Sequence, residues 1–297
     1  MDNRIVRKAT WDVIGTDVKD CNNNLDKILK ESGLDYEVEY RPVSVSGIEG
    51  DNDKFQAIVR KSDNHVYNIA KKSYTICQNK DAFSLINEMK NDVNIIRAGE
   101  TASGMIYMIG ELPEVKVLGD AFKPNLIFQN SHTADFALKS AIIPLRVACT
   151  NQFSIAFPES RNTQTIKHIT SINNQIAVAN QTLKIAYDYM KVFNNKAEMY
   201  AANKVDALKV VEKIFPITED MSDRRITQIK ETRDKFMAIY NNEDNQNFKG
   251  TAWGILNAAT DYYTHKTVKS GSEANHFVNT IIYPEFTNNV VRILNAA

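Results

Sequence analysis

The residues of this chain that could carry chemistry are few and far apart. Cys149 lies in the apolar run PLRVACTNQ, and the histidines on either side of it in the sequence are His132 and His168. A cysteine nucleophile needs a histidine nearby to hold the thiolate, and the sequence does not place one there. Because free cysteine is among the most buried residue types, we predict a buried structural cysteine.

The segment QNSHTAD contains a dense polar cluster that includes His132 and Asp135. Histidine and carboxylate can bind a metal, but a catalytic zinc site needs three protein ligands at a recognisable spacing. The chain has no H-E-x-x-H or C-x-x-C motif. A turn capped by polar side chains is therefore the favoured interpretation, and we expect no metal or other cofactor.

The segment PEVK, residues 113–116, has the carboxylate-x-lysine spacing of many metal-dependent nucleases. In such a site an acid binds the metal, the lysine assists the attacking water, and a further upstream acid is needed. Glu100 or Glu111 could supply that acid. The pattern is short, so a solvated turn is the favoured alternative.

Basic and aromatic residues interleave in YNIAKKSYTICQNKDAF and on the strand before it. Lysines that meet phosphates and rings that stack on bases form a single-strand binding groove. The alternative is an ordinary hairpin with a solvated basic edge, where lysines prevent unwanted strand pairing. The candidate nucleic-acid-binding residues are Arg60, Lys61, Tyr67, Lys71, Lys72, Tyr74 and Lys80.

The stretch GTAWGILNAATDYYTH, residues 250–265, is typical of a helix opened by a small-residue turn. It carries Trp253, Asn257, Asp261 and His265 at four-residue steps, and residues four apart lie on the same side of a helix. This stripe is either an active site or a structural clamp between two parts of the chain. A clamp is favoured, because Trp253 is large enough to anchor a helix and the polar residues would need partners when buried.

Charge and composition exclude several classes of protein. The 297 residues include 36 basic and 36 acidic side chains, so no overall field favours nucleic acid. Three widely spaced cysteines suit a reducing cytosol. The N-terminus lacks the apolar core of a signal peptide, and the apolar runs are too short for a membrane span. We expect a cytoplasmic protein with no membrane partner.

The hydrophobic pattern predicts an α+β fold, with a twisted, largely antiparallel sheet followed by a helical subdomain. Period-two patterns predict strands at 36–40, 55–61, 65–70, 104–112 and 124–131, and 81–90 is predicted as a helix. The segment 134–157 stays ambiguous because Pro144 interrupts it. The pattern then becomes helical, which predicts an α+β domain over 1–165 and a helical domain over 166–297 packed on it.

The longest helical pattern begins at Ile172 and reaches Phe193 through apolar residues at steps of four and three. Such a stripe is typical of a long amphipathic helix. It is wide enough to serve a partner chain as well as its own core, so we predict a homo-oligomer. Further helices are predicted over 204–215, 223–240, 250–265 and 274–294, the last interrupted at Pro284.

Several local patterns occur in a familiar order: YTICQN, IIRAGETASG, NSH, PLRVACTN, a lone histidine before a long helix, and GTAWGILNAATDYYTH. In that order they resemble the phage/plasmid-like family known as domain of unknown function 932. The family usually places Asp-Gly after the histidine of NSH, whereas this chain has Thr133 and Ala134. The resemblance implies a phage or mobile-element origin and assigns no activity. The structural or possible site residues are His132, Asp135, Arg146, Cys149, Asn151, His168, Trp253, Asn257, Asp261 and His265.

Three functions from different classes are consistent with these patterns. The leading one is non-catalytic handling of DNA, meaning single-strand binding or annealing in phage replication or recombination. A hairpin-rich sheet followed by helices is broadly the layout of phage annealing proteins, an analogy at the level of fold. The alternative is a phage interaction protein that inhibits a host defence protein by oligomeric binding, which a neutral surface suits. The weakest is a metal-dependent nuclease that uses PEVK.

Overall fold

The computed structural model describes residues 8–44, 46–47, 50–133, 138–160, 162–165 and 172–296. Antiparallel strands form two sheets, and most of the helices follow them in the chain, so the predicted α+β class is confirmed. Asp135 and His168 lie outside the described residues.

The larger sheet, here called the body sheet, has the strand order β1-β5-β6-β8-β9-β10, with β7 also paired to β8. All its pairs are antiparallel. The strands are β1 (Thr16–Asp17), β5 (Asn94–Glu100), β6 (Met105–Glu111), β7 (Val115–Val117), β8 (Asp120–Ser131), β9 (Lys139–Arg146) and β10 (Thr163–Thr165).

A separate three-stranded sheet, here called the small sheet, pairs β2 with β3 and β3 with β4. Its strands are β2 (Val38–Ser44), β3 (Asp51–Arg60) and β4 (Val66–Lys71). It has its own buried cluster of Val38, Ile58 and Ala70. The predicted hairpin is therefore present as β3 and β4, and β2 adds a third strand to the sheet.

The helices are α1 (Leu25–Glu31), α2 (Asn79–Ala82), α3 (Ile86–Met89), α4 (Ile172–Ala202), α5 (Ala207–Ile214), α6 (Asp223–Tyr240), α7 (Ala252–Thr264), α8 (Glu273–Phe277) and α9 (Glu285–Asn295). A π-helical segment, Val278–Ile282, follows α8 directly, and Pro284 is the residue before α9. The predicted helix over 81–90 is instead two short helices, α2 and α3. The hydroxyl of Ser84 between them donates to the carbonyl of Asp81, a local bond that competes with helix continuation.

Pro144 lies inside β9 and does not interrupt it. It pairs with Pro124 on β8. The carbonyl of Pro144 accepts a hydrogen bond from Phe153 N, and the carbonyl of Pro124 accepts one from Leu112 N, in both cases on the side away from the paired strand. The backbone groups of both prolines therefore point away from each other. At such a non-hydrogen-bonded pair a missing N–H removes no bond from the ladder.

The main core lies between the body sheet and the helices. The rings of Phe122 and Phe153 from the strand-rich part meet those of Phe193 and Trp253 from the helices, with centroids 5.5–5.8 Å apart. On α4, the stripe residues from Ala179 to Phe193 are buried in this core. The other face of the body sheet is covered by Trp11 and Phe277 in a second cluster.

Candidate functional site

The outer face of the small sheet is the side turned away from its buried cluster. Strand register places Phe55 opposite Lys71, and Ala57 opposite Ile69, on this face. The side chains of Phe55 and Ile69 are 38% and 53% exposed, and Val66 on the same strand as Ile69 is 55% exposed. An open antiparallel sheet with an exposed ring beside a lysine is a surface on which a base can stack.

The predicted basic residues separate into two groups: Lys71 and Lys72 at one end of the small sheet, and Arg60 and Lys61 at its other end together with Lys80 on α2. Lys71 and Lys72 lie beside Phe55, are exposed, and form no ion pair with a described residue. Arg60 is at the other end of β3, five residues or roughly 17 Å from Phe55.

The basic residues of the second group are neutralised by acidic neighbours. Lys61 pairs with Glu37 at 2.6 Å, and Lys80 pairs with Asp26 at 2.8 Å. Arg60 pairs with Asp63 at 3.0 Å. The structure therefore leaves Lys71 and Lys72 as the members of the predicted set whose charges are not paired within the described chain.

The predicted tyrosines face the body. The ring of Tyr74 is partly buried, and its hydroxyl lies 3.5 Å from the carbonyl of Ser131. Tyr67 sits at a register shift between β3 and β4, where Ile58 pairs with Asn68 but Val59 pairs with Val66. A bulge of this kind re-aims a side chain, and here both Tyr67 and Asn68 reach the body, at His132 and Thr133.

We call the cluster of Tyr36, Arg60, Tyr67, Glu100 and His132 the junction, because it joins the small sheet to the body. The Arg60 guanidinium carbon lies 4.8 Å from the ring centroid of Tyr36 and 5.6 Å from that of Tyr67. Glu100 accepts a 3.0 Å hydrogen bond from the Tyr36 hydroxyl, and its carboxylate is 3.7 Å from Arg60. Burial raises the pKa of Tyr36 to about 12 and also raises that of Tyr67.

His132 is the most buried member of the junction, with 1% of its surface exposed. Its Nε2 lies 3.1 Å from Asn79 Oδ1. Asn79 Oδ1 is also 3.4 Å from the amide nitrogen of Asn130, while the Asn79 amide donates to the carbonyl of Leu34, so Nε2 is the donor. Burial, assisted by the charge of Arg60, lowers the pKa of His132 to about 4, and the ring is neutral at pH 7.

The stripe on α7 meets the end of β9 in a second buried network, which we call the clamp. Arg146 is its centre: Nε donates to Asp120 at 2.9 Å, and Nη2 donates to the carbonyl of Asp244 at 2.9 Å. Its Nη1 is 3.5 Å from Asn257 Oδ1. A buried guanidinium with a carboxylate and several oxygen acceptors is a compensated charge.

The far end of the stripe closes the clamp. His265 Nε2 donates to the carbonyl of Cys149 at 2.9 Å and lies 3.2 Å from Asn151 Oδ1. The amide of Asn151 in turn donates to the carbonyl of Asn257 at 3.4 Å. Asp261 is buried beside a narrow cleft that it shares with Arg146. With a volume of about 10 Å³, the cleft is the size of one water molecule.

Trp253 supplies the apolar end of the clamp. Its ring stacks on Phe153 with centroids 5.6 Å apart and meets Phe193 and Phe248 at 5.8 and 6.4 Å. The helix that carries it, α7, is capped by Thr251, whose side chain accepts a hydrogen bond from Gly254 N. The stripe therefore lies against the core and the end of β9.

Cys149 lies inside the clamp but is not arranged as a nucleophile. Its thiol is buried, and burial raises its pKa to about 11. His265 bonds the carbonyl of Cys149, and the thiol sulfur faces Arg146 Nη1 at 3.9 Å and the backbone N–H of Asn151. The protonated thiol therefore fills space in the core.

The two acids that could complete a nuclease site with PEVK lie far apart, so at most one of them could act together with Glu114. Glu100 pairs in register with Ile106, while Glu111 is at the other end of β6 opposite Asn94, roughly 17 Å away along the strand. Glu111 forms an ion pair with Lys123. In the part of the chain that the structure describes, no group of three or more His, Cys, Asp or Glu side chains is arranged to hold a metal ion.

Sequence reasoning missed several residues of these sites. Tyr36 and Glu100 complete the junction, Asp120 pairs with Arg146, and Phe55 is the exposed ring of the outer face. Only Phe55 carried a usable signal, since it alternates with Ala57 along a predicted strand next to Lys54. The others are paired with residues at least 26 positions away, and no local pattern encodes such contacts.

The order of the motifs and the fold that joins them define a single α+β family. The family model described as a domain of unknown function (DUF932) matches residues 66–281, which include β4, most of the body sheet and the helices from α2 to α8. The chain belongs to this family. No curated protein and no solved structure matches it. Within the described residues, no helix has the length and apolar character needed to cross a membrane.

Proposed function

We propose that the protein binds single-stranded DNA through the outer face of the small sheet, as a non-catalytic phage or mobile-element protein of the host cytoplasm. The observation that carries the proposal is Phe55, an exposed aromatic ring in the central strand, directly opposite Lys71, which forms no ion pair with a described residue. A ring on an open sheet stacks with any base. A neighbouring lysine supplies the phosphate contact that dominates affinity.

Two further lysines lie at the end of the same two strands. The backbone N–H of Lys72 donates to the carbonyl of Lys54 at 3.0 Å, so these residues lie opposite each other, and both are exposed. Strand alternation directs them to the other side of the sheet from Phe55, so Lys71 is the lysine on the outer face itself and Lys54 and Lys72 flank it at the end of the sheet, on a chain with no net charge. Binding of this kind is local and strongly dependent on salt.

A salt titration of binding to a single-stranded oligonucleotide tests the proposal. Replacing Lys71 and Lys72 by alanine should flatten the slope of log affinity against log salt by about one to two phosphate contacts, each worth roughly 0.7 on single strands. Phe55→Ala should cost on the order of 1–3 kcal/mol with the slope unchanged, because stacking releases no counterions.

Matched controls are available on the helices. Lys209→Ala with Lys213→Ala removes the same charge from the exposed side of α5, and Tyr283→Ala removes another exposed ring. These variants should bind like the parent protein. An equal loss in the control and test variants would mean that binding follows total charge and would reject the small sheet as the site. No oligonucleotide binding at low salt would reject the function itself.

A second candidate is docking of a host defence protein on the same face, and the exposed Val66 and Ile69 favour it. Their branched aliphatic side chains suit a protein interface more than a phosphate backbone. On β2, Arg41 and Glu39 belong to the same face and form an ion pair at 2.7 Å. Part of this face is therefore neutral. If the protein binds no oligonucleotide and retains a host protein through Ile69, with loss in Ile69→Lys, docking is the function.

Both candidates include assembly into a homo-oligomer. The buried stripe on α4 serves the chain's own core, while Tyr187 and Met199 on the same helix are exposed. Light scattering at micromolar concentration should give a mass above 33.6 kDa. A monomer mass would remove the oligomer and weaken the analogy with annealing proteins.

A further inference from the structure

The junction contains a hydrogen-bond donor and an acceptor that no described residue satisfies. The Tyr67 hydroxyl and His132 Nδ1 are both buried, and neither has a hydrogen-bond partner within 3.5 Å among the described residues, although the Tyr67 hydroxyl faces that of Tyr36. Because Nε2 of His132 donates to Asn79, Nδ1 carries a lone pair and is an acceptor. A buried polar atom without a partner is costly, so this pair is suited to a group that comes from outside the chain.

The surroundings of these two atoms fit a planar group next to a negative charge. The rings of Tyr36 and Tyr67 are nearly parallel, at 24°, with centroids 6.2 Å apart, and the ring of His132 lies 5.3 Å from that of Tyr67. Arg60 lies over both tyrosines, and about a quarter of its side chain is exposed at the entrance.

The small sheet is attached to the body in a way that allows the junction to open. The buried residues of its apolar cluster are separate from the two clusters of the body sheet, and the ring of Tyr36 packs against both this cluster and the main core. The contacts that hold it are largely polar: Tyr36 bonds Glu100, Asn68 bonds the carbonyl of Thr133, and Gln78 bonds both backbone groups of Val38. Water can replace such bonds at a lower cost than exposing a core.

We infer that the junction is a base-binding site, opened when a single strand engages the small sheet. This inference rests on the proposed function. One base stacks against the tyrosine rings, its polar edge bonds the Tyr67 hydroxyl and His132 Nδ1, and the adjacent phosphate replaces Asp63 and Glu100 as the partner of Arg60. Because the Watson–Crick edge of every base offers neighbouring donor and acceptor atoms, the site accepts any sequence.

The decisive variant is Tyr67→Phe, which keeps the ring and removes only the unpartnered hydroxyl. It should weaken binding of a single-stranded oligonucleotide by about tenfold, equivalent to 1.4 kcal/mol, within the range for one hydrogen bond. Binding of an abasic oligonucleotide of the same length should not change. The salt slope should also remain that of the parent protein.

Tyr40→Phe is the matched control, because the Tyr40 hydroxyl already bonds Tyr74 O and Ile76 N outside the junction. It should leave the preference for bases over abasic DNA unchanged. If the parent protein binds and Tyr67→Phe binds both oligonucleotides equally well as the parent, the base site is refuted while the function on the outer face stands. If Phe55→Ala and the double lysine variant also change nothing, or the parent does not bind, both proposals fail.

Discussion

The clamp and the junction are two buried polar networks that differ in what surrounds them. The clamp lies within the main core, where Arg146 is bonded to Asp120, Asp244 and Asn257 and the ring of Trp253 is enclosed by other rings. The junction lies where a small sheet with its own apolar cluster meets the body. Its charged members, Arg60 and Glu100, are partly exposed.

Because of this difference, we expect the clamp to have a structural role and the junction to have a role in binding. Opening the clamp would expose the main core, so its polar groups act as fixed links between β9 and α7. Opening the junction would break mainly hydrogen bonds and one loose ion pair, with 3.7 Å between Arg60 and Glu100. Variants of the clamp should therefore act on stability, and variants of the junction should act on binding and on the response to pH.

The largest effect should come from Trp253→Ala. Removing a side chain that is 1% exposed should lower the free energy of unfolding by roughly 3–5 kcal/mol, measured by denaturant titration. Tyr283→Ala, which removes a ring that is 52% exposed, is the control and should change stability little. Equal effects in the two variants would contradict the assignment of Trp253 to the core.

Arg146→Met should be next in size, at about 3 kcal/mol. The change leaves Asp120 without its cation and removes the donor to the Asp244 carbonyl. Lys123→Met on the neighbouring strand removes an exposed pair with Glu111 and should cost at most about 1 kcal/mol. The comparison needs only thermal or denaturant unfolding at pH 7. If both variants lose the same stability, burial is not what gives the clamp its strength.

The junction should respond to pH through His132. Burial holds its folded pKa at about 4, below the ordinary histidine value of 6.5. As the pH falls from 6.5 towards 4, the unfolded chain binds a proton that the folded chain does not, and the free energy of unfolding decreases. Between pH 7 and 5 the loss from this group should be about 2 kcal/mol. In His132→Asn the curve should be flatter by that amount, whereas parallel curves would show that His132 does not titrate this way.

The smallest effect should come from His265→Ala at the partly exposed end of the clamp. Loss of its bond to the Cys149 carbonyl should cost about 1 kcal/mol and leave oligonucleotide binding unchanged. A His265 variant that unfolds like the parent but loses binding would instead make the stripe a functional site, and the distinction between the two networks would be broken.

Strands buried on one face are visible in the sequence, and a strand buried on both faces is not. β3 and β4 alternate clearly, and the α6 prediction agrees with the structure at both ends. β5 shows no period of two because Ile95 packs in one cluster and Ile96 in the other. A register shift between Ile95 and Arg97 also interrupts the alternation of side chains along β5.

The candidate site was predictable in composition but not in arrangement. Lys71, Tyr67 and Arg60 belong to one segment of sequence, yet Lys71 and Arg60 lie at opposite ends of the small sheet. Tyr67 turns towards the body because of a bulge between β3 and β4. No residue type in this segment predicts that bulge. The pairing of Lys61 and Lys80 with Glu37 and Asp26 depends on contacts between residues 24 and 54 positions apart.

The sequence by itself determined the family, the α+β class and the bounds of α6, because these depend on periodicity and on residues a few positions apart. Ser222 caps α6 through a bond within three residues, whereas α5, predicted from residue 204, begins only after its cap at Asp206. Only the tertiary structure decided which polar residues meet. His265 bonds Cys149 across 116 positions and Tyr36 bonds Glu100 across 64. Such contacts arise from the path of the folded chain, since burial brings distant groups together and then requires them to be paired.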